Sequence, residues 1–202
     1  MKTYGSLFLL LLLLIAPSVL CQNIELVQSS DSIHINGILG NDEWLGSKKV
    51  TIERSDEWKI NIRIKYDQEY LYVAFENLTS ENKGKLNTEI LIQTNPEDDK
   101  WNDNTYWFHS SYSNCYSIGE YYNWENCSTN HKDWKANVYP FENGNDNIEF
   151  QISLKKLELE TTSSKNQIKI AFKLSDVSEL HSYWPRQAQI QSPQTWAKLI
   201  FN

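Results

Sequence analysis

The sequence is poor in the residues that most often announce a chemistry, with one methionine, three cysteines, five prolines and seven glycines. The only methionine is Met1, so a chain that has lost its leader cannot ligate haem iron through Met and would need two histidines. No CxxC pair is present, which argues against a thiolate zinc site. Glycine and proline are too sparse for a flexible linker or a collagen-like segment, and no internal repeat is found. There is no GxSxG, no HExxH and no glycine-rich phosphate loop. The four histidines, His34, His109, His131 and His181, stand singly and are expected on strands or at the surface. Positive charge is also short, at 19 basic against 26 acidic residues and a formal net charge of −7. With no basic cluster, the chain lacks the cationic contacts on which nucleic acid or anionic lipid binding is built.

The one long apolar run, Leu7 to Ile15, follows Lys2 and precedes Pro17 and Cys21. A basic start, a short apolar stretch and a small-residue boundary are the order of a cleavable export signal. Residues 1–21 are therefore expected to leave, the mature chain starting at Gln22, with no transmembrane anchor and a secreted or periplasmic destination. Cys21 offers an alternative, lipidation and tethering, although Leu20 stands where a lipoprotein has a small residue. Residues 22–202 are the right length for one domain. In an oxidising compartment Cys115 and Cys127 are expected to pair as a disulfide. Asn77-Leu78-Thr79 and Asn126-Cys127-Ser128 match the acceptor pattern for N-glycosylation, which matters only in a eukaryotic host.

What is abundant is strand pattern and aromatic rings. Trp58, Ile60, Ile62, Ile64 and Tyr66 alternate with Lys59, Asn61, Arg63 and Lys65, which sets one face on a core and the other in water. Ile148, Phe150 and Ile152 repeat the pattern after the turn at Asn143-Gly144-Asn145-Asp146, as do Ile168, Ile170, Phe172 and Leu174. Further strands are expected at 49–53, 70–75, 89–94, 105–112, 134–139 and 196–201, with short helices near 41–45 and 154–159. The loops fall near 80–87, 95–104, 117–133 and 179–194. Many short strands joined by polar turns predict an all-β, antiparallel β-sandwich with one or two short helices.

There are eight Trp and eleven Tyr. Trp44, Trp58 and Trp196 are expected to fill the core. Trp101, Trp124, Tyr121, Tyr122, Tyr183 and Trp184 lie in polar, turn-rich stretches, where an exposed ring offers its apolar face to the C–H face of a sugar. Glu89 and Glu149 are expected as solvated strand residues or local ion partners. Glu97-Asp98-Asp99, Asn102-Asp103-Asn104 and Asn143–Asn147 carry oxygens of the kind calcium prefers, and turn formation explains them equally well. Structural calcium stays open, and no other cofactor or metal ligand set is expected.

Ile33-His34-Ile35-Asn36-Gly37, followed by Asn41-Asp42-Glu43-Trp44, resembles the opening signature of family 9 carbohydrate-binding modules, with Asn36 in place of the usual Asp. Ile62–Asp67, Tyr70-Leu71-Tyr72-Val73-Ala74, Glu89–Ile92, Ile148–Ile152 and Pro193–Ala197 are similar to later segments of that family, in the same order. The resemblance implies a β-sandwich of the kind found appended to secreted polysaccharide-degrading enzymes, non-catalytic itself. Sugar-binding members grip a terminal sugar between two tryptophans in the loops before the strand at Glu89 and before the last strand. Here Ser80–Asn87 has no aromatic, and Trp184 and Trp196 flank a second loop without one.

Two expectations follow. One is a carbohydrate-binding domain on a shifted aromatic surface of Trp184, Tyr183, Trp101 and Trp107, with an oligo- or polysaccharide as partner and a separate glycoside hydrolase to assist. The other is an extracellular or envelope interaction protein that keeps the sandwich, has lost the sugar clamp and binds a protein partner.

Overall fold

In the computed structural model the described residues are 22–40, 42–80, 84–111, 115–118, 124–126, 133–137, 147–159, 166–176 and 180–202. The leader, Cys127, His131, Tyr121, Tyr122, the turn at 143–146 and the side chain of Trp124 lie outside them. No helix among the described residues is long and apolar enough to cross a membrane.

The strands are β1 (Asn23–Leu26), β2 (Lys48–Glu53), β3 (Lys59–Tyr66), β4 (Tyr70–Glu76), β5 (Thr79–Ser80), β6 (Gly84–Lys85), β7 (Asn87–Gln93) and β8 (Thr105–Ser110). They continue with β9 (Cys115–Ile118), β10 (Trp124–Asn126), β11 (Trp134–Ala136), β12 (Ile148–Ser153), β13 (Asn166–Ser175), β14 (His181–Trp184) and β15 (Ala197–Phe201). A smaller sheet runs β11-β12-β4-β3-β2. A larger sheet runs β1-β15-β13-β7-β8-β9-β10, with β14 also on β13. Its pairs are antiparallel except β1 with β15.

The alternating segments set the packing. Ile60, Ile62, Ile64 and Phe75 of the smaller sheet face Ile90, Ile92, Ile170 and Phe172 of the larger, all fully buried. Phe75 meets Phe172 edge-on at 5.8 Å, Phe108 meets Trp134 at 5.4 Å and Tyr66 meets Phe201 at 5.0 Å. Each ring pair adds about 0.5–1.5 kcal/mol beyond the area it buries. At one end Arg54, after β2, reaches across to Asp176, Ser182 and the Leu180 carbonyl, tying the smaller sheet to the end of β13 and the start of β14.

The sandwich is the one expected, with local differences. One or two short helices were expected, but residues 42–46 and 154–158 form turns, and the helical element among the described residues is a 3₁₀ turn at Pro193–Thr195. Neither turn segment carries enough apolar residues at helical spacing to outweigh the cost of nucleation. Parts of the expected loops are paired instead: β5 with β6, β9 with β10, and β14 with β13. Trp44, Trp58 and Trp196 are buried as expected.

Candidate functional site

Both outer faces of the sandwich are covered by loop segments, and the two covers differ. On the smaller sheet the cover is residues 29–47, which pack Trp44 and Ile33 on Tyr72 and Ala74. Its fixed point is Glu149 on β12, fully buried rather than solvated. Glu149 Oε2 accepts from the Asn36 and Gly37 backbone N–H groups at 3.0 and 2.7 Å, and Oε1 accepts from Trp44 Nε1 at 3.0 Å. Gly37 has φ +79°, in the left-handed region that a side chain resists, and Asn36 Oδ1 accepts from Ile38 N at 2.7 Å to close the turn. Asn36, Gly37 and Trp44 of the opening motif thus converge on one carboxylate. Lys65, expected in water, is buried, with Nζ donating to the Glu43 carbonyl at 2.7 Å. Burial raises the Glu149 carboxyl above its ordinary 4.5, against the lowering pull of its three donors.

On the larger sheet the register aligns one residue from each of five strands in a row: Tyr183 (β14), Lys173 (β13), Glu89 (β7), His109 (β8) and Tyr116 (β9). At the usual strand spacing this row is about 19 Å long. Glu89 is buried and ion-paired, so only the ion-partner half of its expectation holds. Lys173 Nζ donates to its two oxygens at 2.8 and 2.9 Å, and Ser175 Oγ donates at 3.1 Å. His109 stacks on Tyr116 at 4.4 Å. The phenols of Tyr116 and Tyr183 are raised, first by burial and then by the Glu89 charge.

Beside the row lies an aromatic cluster. Trp107, on β8, is half-buried with Lys173 Nζ 5.5 Å from its ring centre. Trp101 stands edge-on to Trp107 at 6.5 Å and to Trp196 at 6.4 Å. Ala188 and Ile190, from the segment between β14 and β15, and Tyr183 complete it over Leu91 and Ala171. Trp196 Nε1 donates to the Gln189 carbonyl at 2.8 Å, which folds that segment back over the sheet. Trp107 Nε1 is buried with no hydrogen-bond partner; Trp134 Nε1, inside the sandwich, shares that state.

Of the four aromatics singled out in the sequence, Trp101, Trp107 and Tyr183 meet here, and all three are half-buried. Trp184 does not join them. One residue on from Tyr183, its ring turns inward and packs at 5.8 Å from Phe172 against the main core. Lys173, His109 and Tyr116 were not anticipated. Ala171 between Lys169 and Lys173 was a usable signal, because a small residue at an outward position marks a covered face.

The loop that carries Trp101 is the acidic, amide-rich stretch considered for calcium. Asp98 Oδ2 accepts from Asn102 Nδ2 at 2.7 Å and Asn104 Nδ2 at 3.2 Å, and these bonds lower its pKa. Lys169 Nζ donates to the Asp98 carbonyl at 2.8 Å and Asp99 Oδ1 at 2.9 Å. Lys169 thus seats a cation at two oxygens of this stretch, and the Asp98–Asn102–Asn104 bonds are those of turn formation; the other stretch considered for calcium, at 143–147, is described only at Asn147. No group of His, Cys, Asp and Glu suited to a metal ion occurs among the described residues.

No family model and no curated protein matches the chain. Among solved structures it is similar to a family 9 carbohydrate-binding module from Caldicellulosiruptor kristjanssonii. Against that module in complex with cellotriose the TM-score is 0.55 at 14% identity, covering 90% of this chain and 94% of that one. Against the complex with glucose the TM-score is 0.57 at 14% identity, covering 90% and 96%. The fold is therefore that of family 9 carbohydrate-binding modules, as the sequence motifs implied.

Proposed function

We propose that this chain is an exported, non-catalytic carbohydrate-binding domain whose ligand lies on the outer face of the larger sheet, against Trp101, Trp107 and Tyr183. The observation that carries the proposal is the convergence of these three half-buried rings beside the buried Lys173–Glu89 pair. Rings offer apolar faces to a sugar's C–H groups, while the neighbouring polar row orients hydroxyls. The fold supports the same reading, since the similar modules hold cellotriose and glucose. Both Glu89 oxygens are already engaged, which leaves it a poor general base and favours binding over hydrolysis.

The test is affinity electrophoresis through soluble glycans. Retardation by at least one glycan, lost in Trp101→Ala and kept per folded molecule in Trp184→Ala, supports the site. Absence of retardation across a broad panel, with and without calcium, overturns it.

With the domain at residues 22–202 we propose a cleaved leader at 1–21, secreted or periplasmic delivery, a Cys115–Cys127 disulfide and service to a separate glycoside hydrolase. The N-terminal residue of the exported chain, Gln22 or a lipidated Cys21, separates cleavage from lipidation. A non-reducing peptide map tests the disulfide.

A second reading, a sandwich that binds a protein partner instead, is favoured by two observations. Ser80–Asn87 lacks an aromatic, and Trp184 packs on Phe172. A saturable glycan titration decides against it.

A further inference from the structure

The carbohydrate face leaves one exposed motif unused, at the far end of β4. Asn77 follows Glu76 with φ +64°, a left-handed conformation that asparagine tolerates better than other side-chain-bearing residues. The backbone is fixed on both sides of it. The Asn77 carbonyl accepts from Trp58 Nε1 at 2.9 Å. Leu78 is fully buried, and its carbonyl accepts from Leu86 N at 3.2 Å. Thr79 pairs with Lys85 in the β5–β6 hairpin. Between these anchors Asn77 itself is exposed, on the two-residue link between β4 and β5.

We infer that Asn77 is an N-glycan attachment site, in which the Asn77-Leu78-Thr79 acceptor motif presents an exposed asparagine on the link between β4 and β5, with its neighbours anchored in the core. The co-substrate class is an oligosaccharide linked through pyrophosphate to a lipid carrier. The Asn77 Nδ2–C1 bond forms, the C1–oxygen bond to the pyrophosphate breaks, the lipid pyrophosphate departs and one amide proton passes to a base of the transferring enzyme. The folded domain then carries the glycan in solvent without breaking a core contact. The second motif differs, because Asn126 sits in the β10 ladder opposite Tyr116.

This inference rests on the export proposal, so the experiment separates the two. The full chain is expressed in a eukaryotic secretory host, once under residues 1–21 and once under a supplied leader, and the secreted protein is peptide-mapped before and after enzymatic removal of N-glycans. The expected result is a glycan on the Asn77 peptide, converted to Asp on removal, lost in Thr79→Ala and retained in Thr79→Ser. Glycosylation only under the supplied leader supports the attachment site and counts against the native leader. An unmodified Asn77 in folded, secreted protein under the supplied leader overturns the inference, whatever the occupancy of Asn126.

Discussion

The two outer faces of this sandwich each bury a glutamate, and the identity of the partner separates a structural use from the proposed binding one. Glu149 is held by two backbone N–H groups and an indole, all belonging to the segment that covers it. Glu89 is held by Lys173 and Ser175 from a neighbouring strand of its own sheet, and the rings beside it remain half-exposed. The first arrangement closes a face. The second prepares one, because the charge is settled within the sheet and the aromatics stay available.

The largest effect is expected from Glu149→Ala. It strands three donors, two of them buried, and should cost about 3–5 kcal/mol, a fall in Tm of about 10 °C for a domain of this size. Glycan retardation per folded molecule should not change. A loss below about 1 kcal/mol in urea denaturation would mean that Glu149 does not hold the 29–47 segment.

Lys173→Met should cost about 3 kcal/mol by leaving Glu89 buried without its cation. Adding Glu89→Leu should restore stability to within about 1 kcal/mol, because a buried ion pair can be replaced by apolar residues of similar size. Glu149 admits no such rescue, since two of its partners are main chain. If the Lys173/Glu89 double variant were no more stable than Lys173→Met, the contrast between the faces would fail.

Trp107→Phe keeps a ring and removes the unpartnered N–H, so stability should move by under about 1 kcal/mol. Weaker retardation on glycan gels would show that this N–H serves the ligand, and unchanged retardation would confine the residue to packing.

The smallest effect is in pH dependence, where two acids have opposite signs. The Glu149 pKa is raised by burial, so its contribution is full below the ordinary 4.5 and is lost as pH rises through the folded value. The Asp98 pKa is lowered by the amides of Asn102 and Asn104, so its contribution is present above the ordinary 3.8 and is lost as pH falls through the folded value. Urea titrations of Glu149→Gln should therefore lose a component that weakens the protein as pH rises from 4.5. Those of Asp98→Asn should lose one that weakens it as pH falls below 3.8. Equal slopes in wild type and variants would refute both assignments.

These faces also mark the limit of what the sequence could convey. Alternation located β3, β12 and β13 because their inward residues meet a continuous core, and the resemblance in residues 33–44 named the fold. Alternation also assumes that the other side of each strand meets water. It therefore placed Lys65 in water and left Glu89 and Glu149 as solvated residues or local ion partners, when the 29–47 segment covers Lys65 and Glu149 and a strand-neighbour ion pair holds the buried Glu89. The strand β14 was hidden because its four residues run from exposed to half-buried and sit on a short edge. The inward turn of Trp184 against the outward Tyr183 follows from that unrecognised strand, since adjacent strand residues point to opposite faces.

One feature of the larger sheet has an architectural consequence. β13 is ten residues long and gives one flank to β7, while its other flank is shared, β15 taking Asn166–Ile170 and β14 taking Phe172–Ser175. The segment Pro185–Trp196 therefore departs from the sheet and returns to it beside the same strand. Both its ends are clamped to one rigid rail, so the exposed residues between the buried anchors Ala188, Pro193 and Trp196 can be redrawn without shifting any strand pairing. Those positions are the natural place for grafting new specificity onto this scaffold.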